Sequence, residues 1–149
     1  MRAVAQRVNS ARVRVARETV SEMAGGLLAL VGVARGDSED DARGLAEKLV
    51  HLRIFDDAAG VMNLSLADTR ATLCVVSQFT LLGDCRKGRR PSYGEAAPPE
   101  DAEKLIEVLV AHARALGVTV VTGRFRADMD VELVNHGPVT LLLDTSRLF

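Results

Sequence analysis

Tryptophan is absent from this 149-residue chain, and one tyrosine and four phenylalanines bring the aromatic share to only 3%. So few flat side chains argue against a multi-aromatic platform on which single-stranded nucleic acid stacks. Cysteine is scarce as well. Cys74 and Cys85 lack metal-site spacing, and one pair is a poor disulfide framework; Cys74, inside an apolar run, reads as a small buried hydrophobe. The formal net charge of −1 argues against a coat of positive charge for non-specific nucleic-acid binding, while leaving room for a local basic patch. The longest apolar run, Leu27 to Ala34, falls far short of the ~20 residues a spanning helix needs. Arg2, Arg7, Arg12 and Arg14 break up the N-terminus, so no signal peptide is visible. A soluble, cytoplasmic protein with no membrane contact is expected.

What is present is an ordinary globular balance, 48% hydrophobic and 26% charged, over a length that suits one domain spanning 1–149. Residues 2–9 and 11–16 alternate with a period of two, and Glu18 to Met23 continues the pattern, so three strands with one wet face are predicted. Leu27 to Val33 reads as a central strand, apolar on both faces. Asp37 or Ser38 then offers an N-cap for a helix running to about Leu52. Short extended pieces are predicted over 53–56 and 61–66, and a second buried strand over 72–76 that runs into Ser77-Gln78-Phe79-Thr80-Leu81. Residues 82–99 make a long Gly/Pro-rich connection, of a length more often functional than idle. Pro98 and Pro99 open a second helix that Gly117 closes. A strand over 118–122, a loop over 123–128, and a hairpin turning at Gly137-Pro138 between Met129–Val134 and Val139–Leu143 complete the chain. The expected architecture is a single α+β domain: a mixed or antiparallel sheet, or partial barrel, of about seven strands with two helices.

Most enzyme constellations are missing. There is no Gly-x-Ser-x-Gly elbow around Ser77, no phosphate-binding Gly-x-x-x-x-Gly-Lys, and no histidine pair at metal spacing. His51 and His112 fall inside predicted helices, and His136 sits beside the Gly-Pro corner. Ser77, Gln78 and Thr80 emerge at the end of a buried strand, where hydroxyls, an amide and free backbone N–H groups can hold an ester carbonyl and its developing oxyanion; the same hydroxyls can equally satisfy local backbone. Thr80 as a nucleophile needs an adjacent base, and the sequence offers none. Arg86, Lys87, Arg89 and Arg90 make either a solvated loop or a phosphate clamp.

These blocks, taken in order, resemble the D-aminoacyl-tRNA deacylases from end to end. The resemblance is carried by Gln6-Arg7-Val8, Gly26-Leu27-Leu28, Arg53-Ile54-Phe55, Gly60-Val61-Met62-Asn63, Val76-Ser77-Gln78-Phe79-Thr80-Leu81, Arg90-Pro91-Ser92, Thr122-Gly123 with Phe125, and Asn135 with Gly137-Pro138-Val139-Thr140. The Ser-Gln-Phe-Thr and Gly-Pro-Val-Thr blocks are specific as a pair and weak singly.

The resemblance implies a homodimeric hydrolase that cleaves the ester between a D-amino acid, or glycine, and the 3′-terminal adenosine of tRNA, with no metal or organic cofactor. It implies a cis Gly137-Pro138 peptide that reaches into the partner's pocket and excludes an L side chain with two carbonyls. Val139 and Thr140 complete that block, and Arg7 braces it. Phe79 and Thr80 are implied to lend backbone N–H groups, supported by Ser77 and Gln78. A substrate ribose hydroxyl is implied to activate water. Arg86, Lys87, Arg89, Arg90 and Phe125 are the candidate tRNA contacts. Two departures stand out: the family usually has Asp at the position of His136 and Gly at that of Arg126. Two other readings remain: a non-catalytic tRNA-binding module on the same fold, and a Ser77- or Thr80-dependent esterase on small acyl substrates.

Overall fold

The computed structural model describes residues 1–148. The opening alternation folds as one unbroken strand, β1 (Arg2–Val15), where two shorter ones were expected. β3 (Gly26–Gly32) lies antiparallel on its first half, and β2 (Glu18–Met23) on its second. The continuous apolar run of β3 is central, as predicted: β6 (Thr72–Ser77) pairs with it in parallel, and β7 (Val120–Thr122) follows β6 in parallel. Parallel neighbours need long crossovers. Two helices supply them, α1 (Glu39–His51) between β3 and β6 and α3 (Pro99–Ala115) between β6 and β7, and they pack on each other.

Ser38, not Asp37, is the α1 cap. Its hydroxyl accepts from the Asp41 amide at 3.3 Å while the Asp41 carboxylate accepts from the Ser38 amide at 2.9 Å. Such a reciprocal pair satisfies two otherwise orphaned donors. The same device at Ser65 and Asp68 starts α2 (Leu66–Thr69), a single turn the periodicity missed. β4 (Phe55–Asp56) and β5 (Met62–Leu64) form a separate small sheet.

The core has two parts. Leu27, Val31, Leu73 and Val75 meet Leu45, Leu49 and Leu109 on the helical face. Val8, Val13, Leu28, Cys74 and Val76 fill the opposite, concave face. Burial there pushes the Cys74 thiol up to about 11, which keeps it an inert apolar group at neutral pH. Among the described residues, eight strands, two long helices and the one-turn α2 make a mixed-sheet α+β domain, with β2 touching β7 so that the sheet nearly closes on itself. No described helix is long and apolar enough to cross a membrane.

A further expectation is overturned at the C-terminal strand. Gly137-Pro138 is not the corner of a hairpin. Residues Asp130–Asp144 form one strand, β8, antiparallel to β1 along nearly its whole length. Asn135 faces Val8 and Thr140 faces Gln6, so five residue steps on β8 answer two on β1. The surplus stands off the sheet as a wide bulge. A Gly-Pro pair signals a local break in extended structure; only the partner strand decides whether the chain reverses or resumes, and here β1 continues past the break.

Candidate active site

The bulge is held from below by Arg7. Alternation with Ala3 and Ala5 puts this arginine on the core face, where it is 6% exposed. A buried guanidinium must find acceptors, and it finds three. Nη1 donates to the Ile54 carbonyl at 2.7 Å and to Asp56 Oδ1 at 3.1 Å, and Nε donates to the His136 carbonyl at 3.4 Å. Arg7 thereby ties the small β4–β5 sheet to the bulge. The neck is closed by the Asn135 amide, which donates to Thr140 Oγ1 at 3.2 Å. The Gly137-Pro138 bond is cis, and Gly137 has φ +120. A Cβ at Gly137 would lie 2.9 Å from Val139 Cγ2 and 3.1 Å from Arg7 Nη2, so conformation and space both call for glycine. Gly137 and Pro138 are exposed to solvent in the single chain.

The second candidate block lies elsewhere on the molecule. β6 ends at Ser77, and Phe79–Leu82 wind into a 3₁₀ turn where the strand was expected to run on. Gly32 makes this possible: a Cβ there would meet Leu82 Cδ2 at 2.6 Å and the Gln78 carbonyl at 2.9 Å, so only glycine lets the turn sit directly on β3. The Gln78 amide donates to the Val31 carbonyl at 2.7 Å, and the Leu81 and Gly83 amides close the turn. The amides of Phe79 and Thr80 have no acceptor among the described residues. Two adjacent free donors at the start of a helical turn are the arrangement that receives a developing oxyanion. The Gln78 side-chain amide donates to Thr80 Oγ1. The Phe79 ring, 55% exposed, meets Tyr93 edge to face with centroids 5.0 Å apart.

A cavity of about 780 Å³ opens beside this turn. Ser77, Gln78, Phe79 and Phe125 line it, with Tyr93, the start of α3, and the 125–129 segment. Thr80, Arg7 and the whole 137–140 block do not. β8 and β6 are separated by β1 and β3 in the sheet, and β8 itself reaches the cavity at Val131, six residues short of Gly137, or roughly 20 Å of extended strand. Of the basic loop, Arg86 is engaged by Asp84, whose carboxylate is held down at about 2 by the guanidinium's hydrogen bonds. Lys87, Arg89 and Arg90 are exposed and have no ion-pair partner among the described residues. His112 pairs with Glu47 at 3.1 Å between the helices, and His51 closes α1.

Sequence reasoning missed Asp56, Tyr93, Arg35 and Asp128 as members of these two regions. Tyr93 left a trace, as the one tyrosine, within the long 82–99 connection. Arg35 and Asp128 left none, because an arginine or aspartate in a loop carries no periodicity, and the two-residue β4 that holds Asp56 is too short to show one. Arg126, which also lines the cavity, occupies the left-handed region at φ 60, a conformation that costs a residue with a Cβ about 1 kcal/mol.

The sequence profile of the family described as D-Tyr-tRNA(Tyr) deacylase matches residues 4–144. The chain is 56% identical to the D-aminoacyl-tRNA deacylase of Thermosipho africanus and 58% identical to that of Anaeromyxobacter dehalogenans, each over the full length of both proteins. Among solved structures it superposes on a "c-Myc DNA Unwinding Element Binding Protein" with a TM-score of 0.90 at 33% identity, covering 97% of this chain and 98% of that one. A probable eukaryotic D-amino acid tRNA deacylase shares the fold at a TM-score of 0.81 and 17% identity, with 95% and 97% covered. A profile spanning nearly the whole chain, with end-to-end relatives above half identity, leaves one assignment: the chain belongs to the D-aminoacyl-tRNA deacylases, hydrolases of the aminoacyl-tRNA ester bond.

Proposed function

We propose that this deacylase removes D-aminoacyl and glycyl groups from the 3′-terminal adenosine of tRNA in the cytoplasm, as a homodimer in which Gly137-Pro138 of one subunit gates the cavity of the other. The observation that carries this reading is the separation of the two blocks. A braced, solvent-facing bulge with nothing to act on stands apart from a cavity with free amides and no gate. A two-fold pairing supplies each with the other.

In the reaction, water adds to the ester carbonyl carbon, and the oxyanion is received by the Phe79 and Thr80 amides. The carbon–oxygen bond to the ribose then breaks, and the ribose oxygen takes a proton, leaving free amino acid and tRNA. A neighbouring ribose hydroxyl acts as a relay, taking the water's proton and passing its own to the ribose oxygen that leaves, so no side-chain base is required. Selection works by rejection: the gate's carbonyls meet an L side chain, a D side chain points away, and glycine has nothing to reject.

The test is ester loss from matched D- and L-aminoacyl-tRNA. Release from the D form alone is expected. Equal release from both removes the chiral gate. Tight RNA binding with no release favours a binding module, in keeping with the DNA-binding role that one structural relative is named for.

A further inference from the structure

Three charged side chains line the cavity: Arg35, Arg126 and Asp128. The Arg35 guanidinium is anchored, with Nε donating to the Gly94 carbonyl at 2.7 Å. Arg124 reaches Glu18 at 3.5 Å, whereas the exposed Arg126 has neither carboxylate nor carbonyl partner among the described residues. It is also held in the left-handed region, in a turn fixed by the Ala127 amide donating to the Arg124 carbonyl at 3.2 Å. Arg17 and Arg70 share this backbone and likewise have no partner among the described residues, but Arg126 alone of the three lines the cavity, where its exposed guanidinium is free to meet an anionic ligand.

We infer that Arg126 and Arg35 form an anion subsite that holds the phosphodiester adjoining the substrate's 3′-terminal nucleoside. The inference rests on the deacylase reading only for which end of the RNA enters. With the ester at the Phe79–Thr80 amides, the phosphodiester is the nearest anionic group any charged tRNA carries, and a guanidinium fork matches its two free oxygens. Asp128 leaves the lining charge at only one positive unit, which suits a monoanionic diester better than a dianionic terminal phosphate.

The test uses Arg126→Gly, which relieves the left-handed backbone and so does not threaten the fold, and Arg126→Lys, which keeps a point charge. Each is assayed on D-aminoacyl-tRNA and on the same D-amino acid esterified to adenosine alone. Binding of a short single-stranded RNA is titrated against salt. For Arg126→Gly, KM on tRNA is expected to rise about tenfold, the loss of one charge-assisted contact, with kcat held and partial rescue by lysine. The adenosine ester, which has no diester to hold, is expected to show equal kcat/KM in both proteins. The salt slope of RNA binding is expected to flatten by about 0.7. Unchanged KM on tRNA, or equal loss on both substrates, overturns the subsite. Loss confined to tRNA carrying an acidic amino acid overturns the diester in favour of a side-chain carboxylate. If the wild type releases no amino acid but Arg126→Gly still flattens the slope, the subsite stands and the deacylase reading falls.

Discussion

Arg7 shows how one residue can join two regions. Its three acceptors are two backbone carbonyls and a carboxylate, and removing the guanidinium strands the buried Ile54 carbonyl away from water. Arg7→Met is expected to lower the unfolding free energy by about 2–3 kcal/mol. Urea melts should show a lower midpoint with an unchanged slope. Gly137→Ala combines a left-handed φ with contacts at 2.9 and 3.1 Å. It is expected to lower kcat/KM on D-aminoacyl-tRNA at least tenfold, with strain on the order of 1–3 kcal/mol. Thr80 is the opposite case. Its hydroxyl only receives the Gln78 amide, so Thr80→Val should keep kcat within about tenfold of wild type, because the backbone donor survives. Abolished turnover with an intact fold would mean the side chain itself reacts.

At the scale of elements, the legible parts were those whose own residues dictate their shape. Alternation marked β1 and β2, a solid apolar run marked β3, and spacing of Ala42, Leu45 and Leu49 marked α1. The parts that resisted are set by partners. Nothing local to 130–144 says that β1 keeps pairing beyond the bulge, and the 3₁₀ turn at 79–82 has no side-chain cap to announce it. α2 was readable in principle, through Ser65 and Asp68 at capping-box spacing, but four residues carry no period. Of the candidate site, the two motifs were legible and their separation was not, because strand order is absent from sequence.

The α1 box also sets an acid limit. The Ser38 hydroxyl and then its amide hold Asp41 below the usual carboxylate range. A depressed folded value means the stabilisation is full above the unfolded value of about 3.9 and is lost as pH falls through the folded one. Ser38→Ala is expected to cost about 1 kcal/mol at pH 7. It should also make stability fall less steeply below about pH 4. Thermal melts at pH 7 and pH 3 compare the two.

For the whole molecule, the gate proposal makes a prediction that no single-subunit scheme shares. Gly137→Ala damages the bulge and Phe79→Ala damages the cavity, so each alone should be nearly inactive. Co-expressed, the two should form mixed dimers in which one of the two sites draws both halves from undamaged sequence. About a quarter of wild-type activity should return under random pairing. No recovery in verified mixed dimers would place gate and cavity in one chain.

The pairing of β1 with β8 has a consequence in time. The two longest strands join residues 2–14 to residues 130–144, so the ladder carrying the bulge is also the contact of greatest sequence separation. Closing so large a loop comes late and slowly, in the millisecond-to-second range of non-local topologies. During synthesis, one edge of β1 stays bare until more than a hundred further residues have been made. The feature that would confer discrimination is thus the last to be assembled, and a chain caught before that point offers an open strand edge to its neighbours.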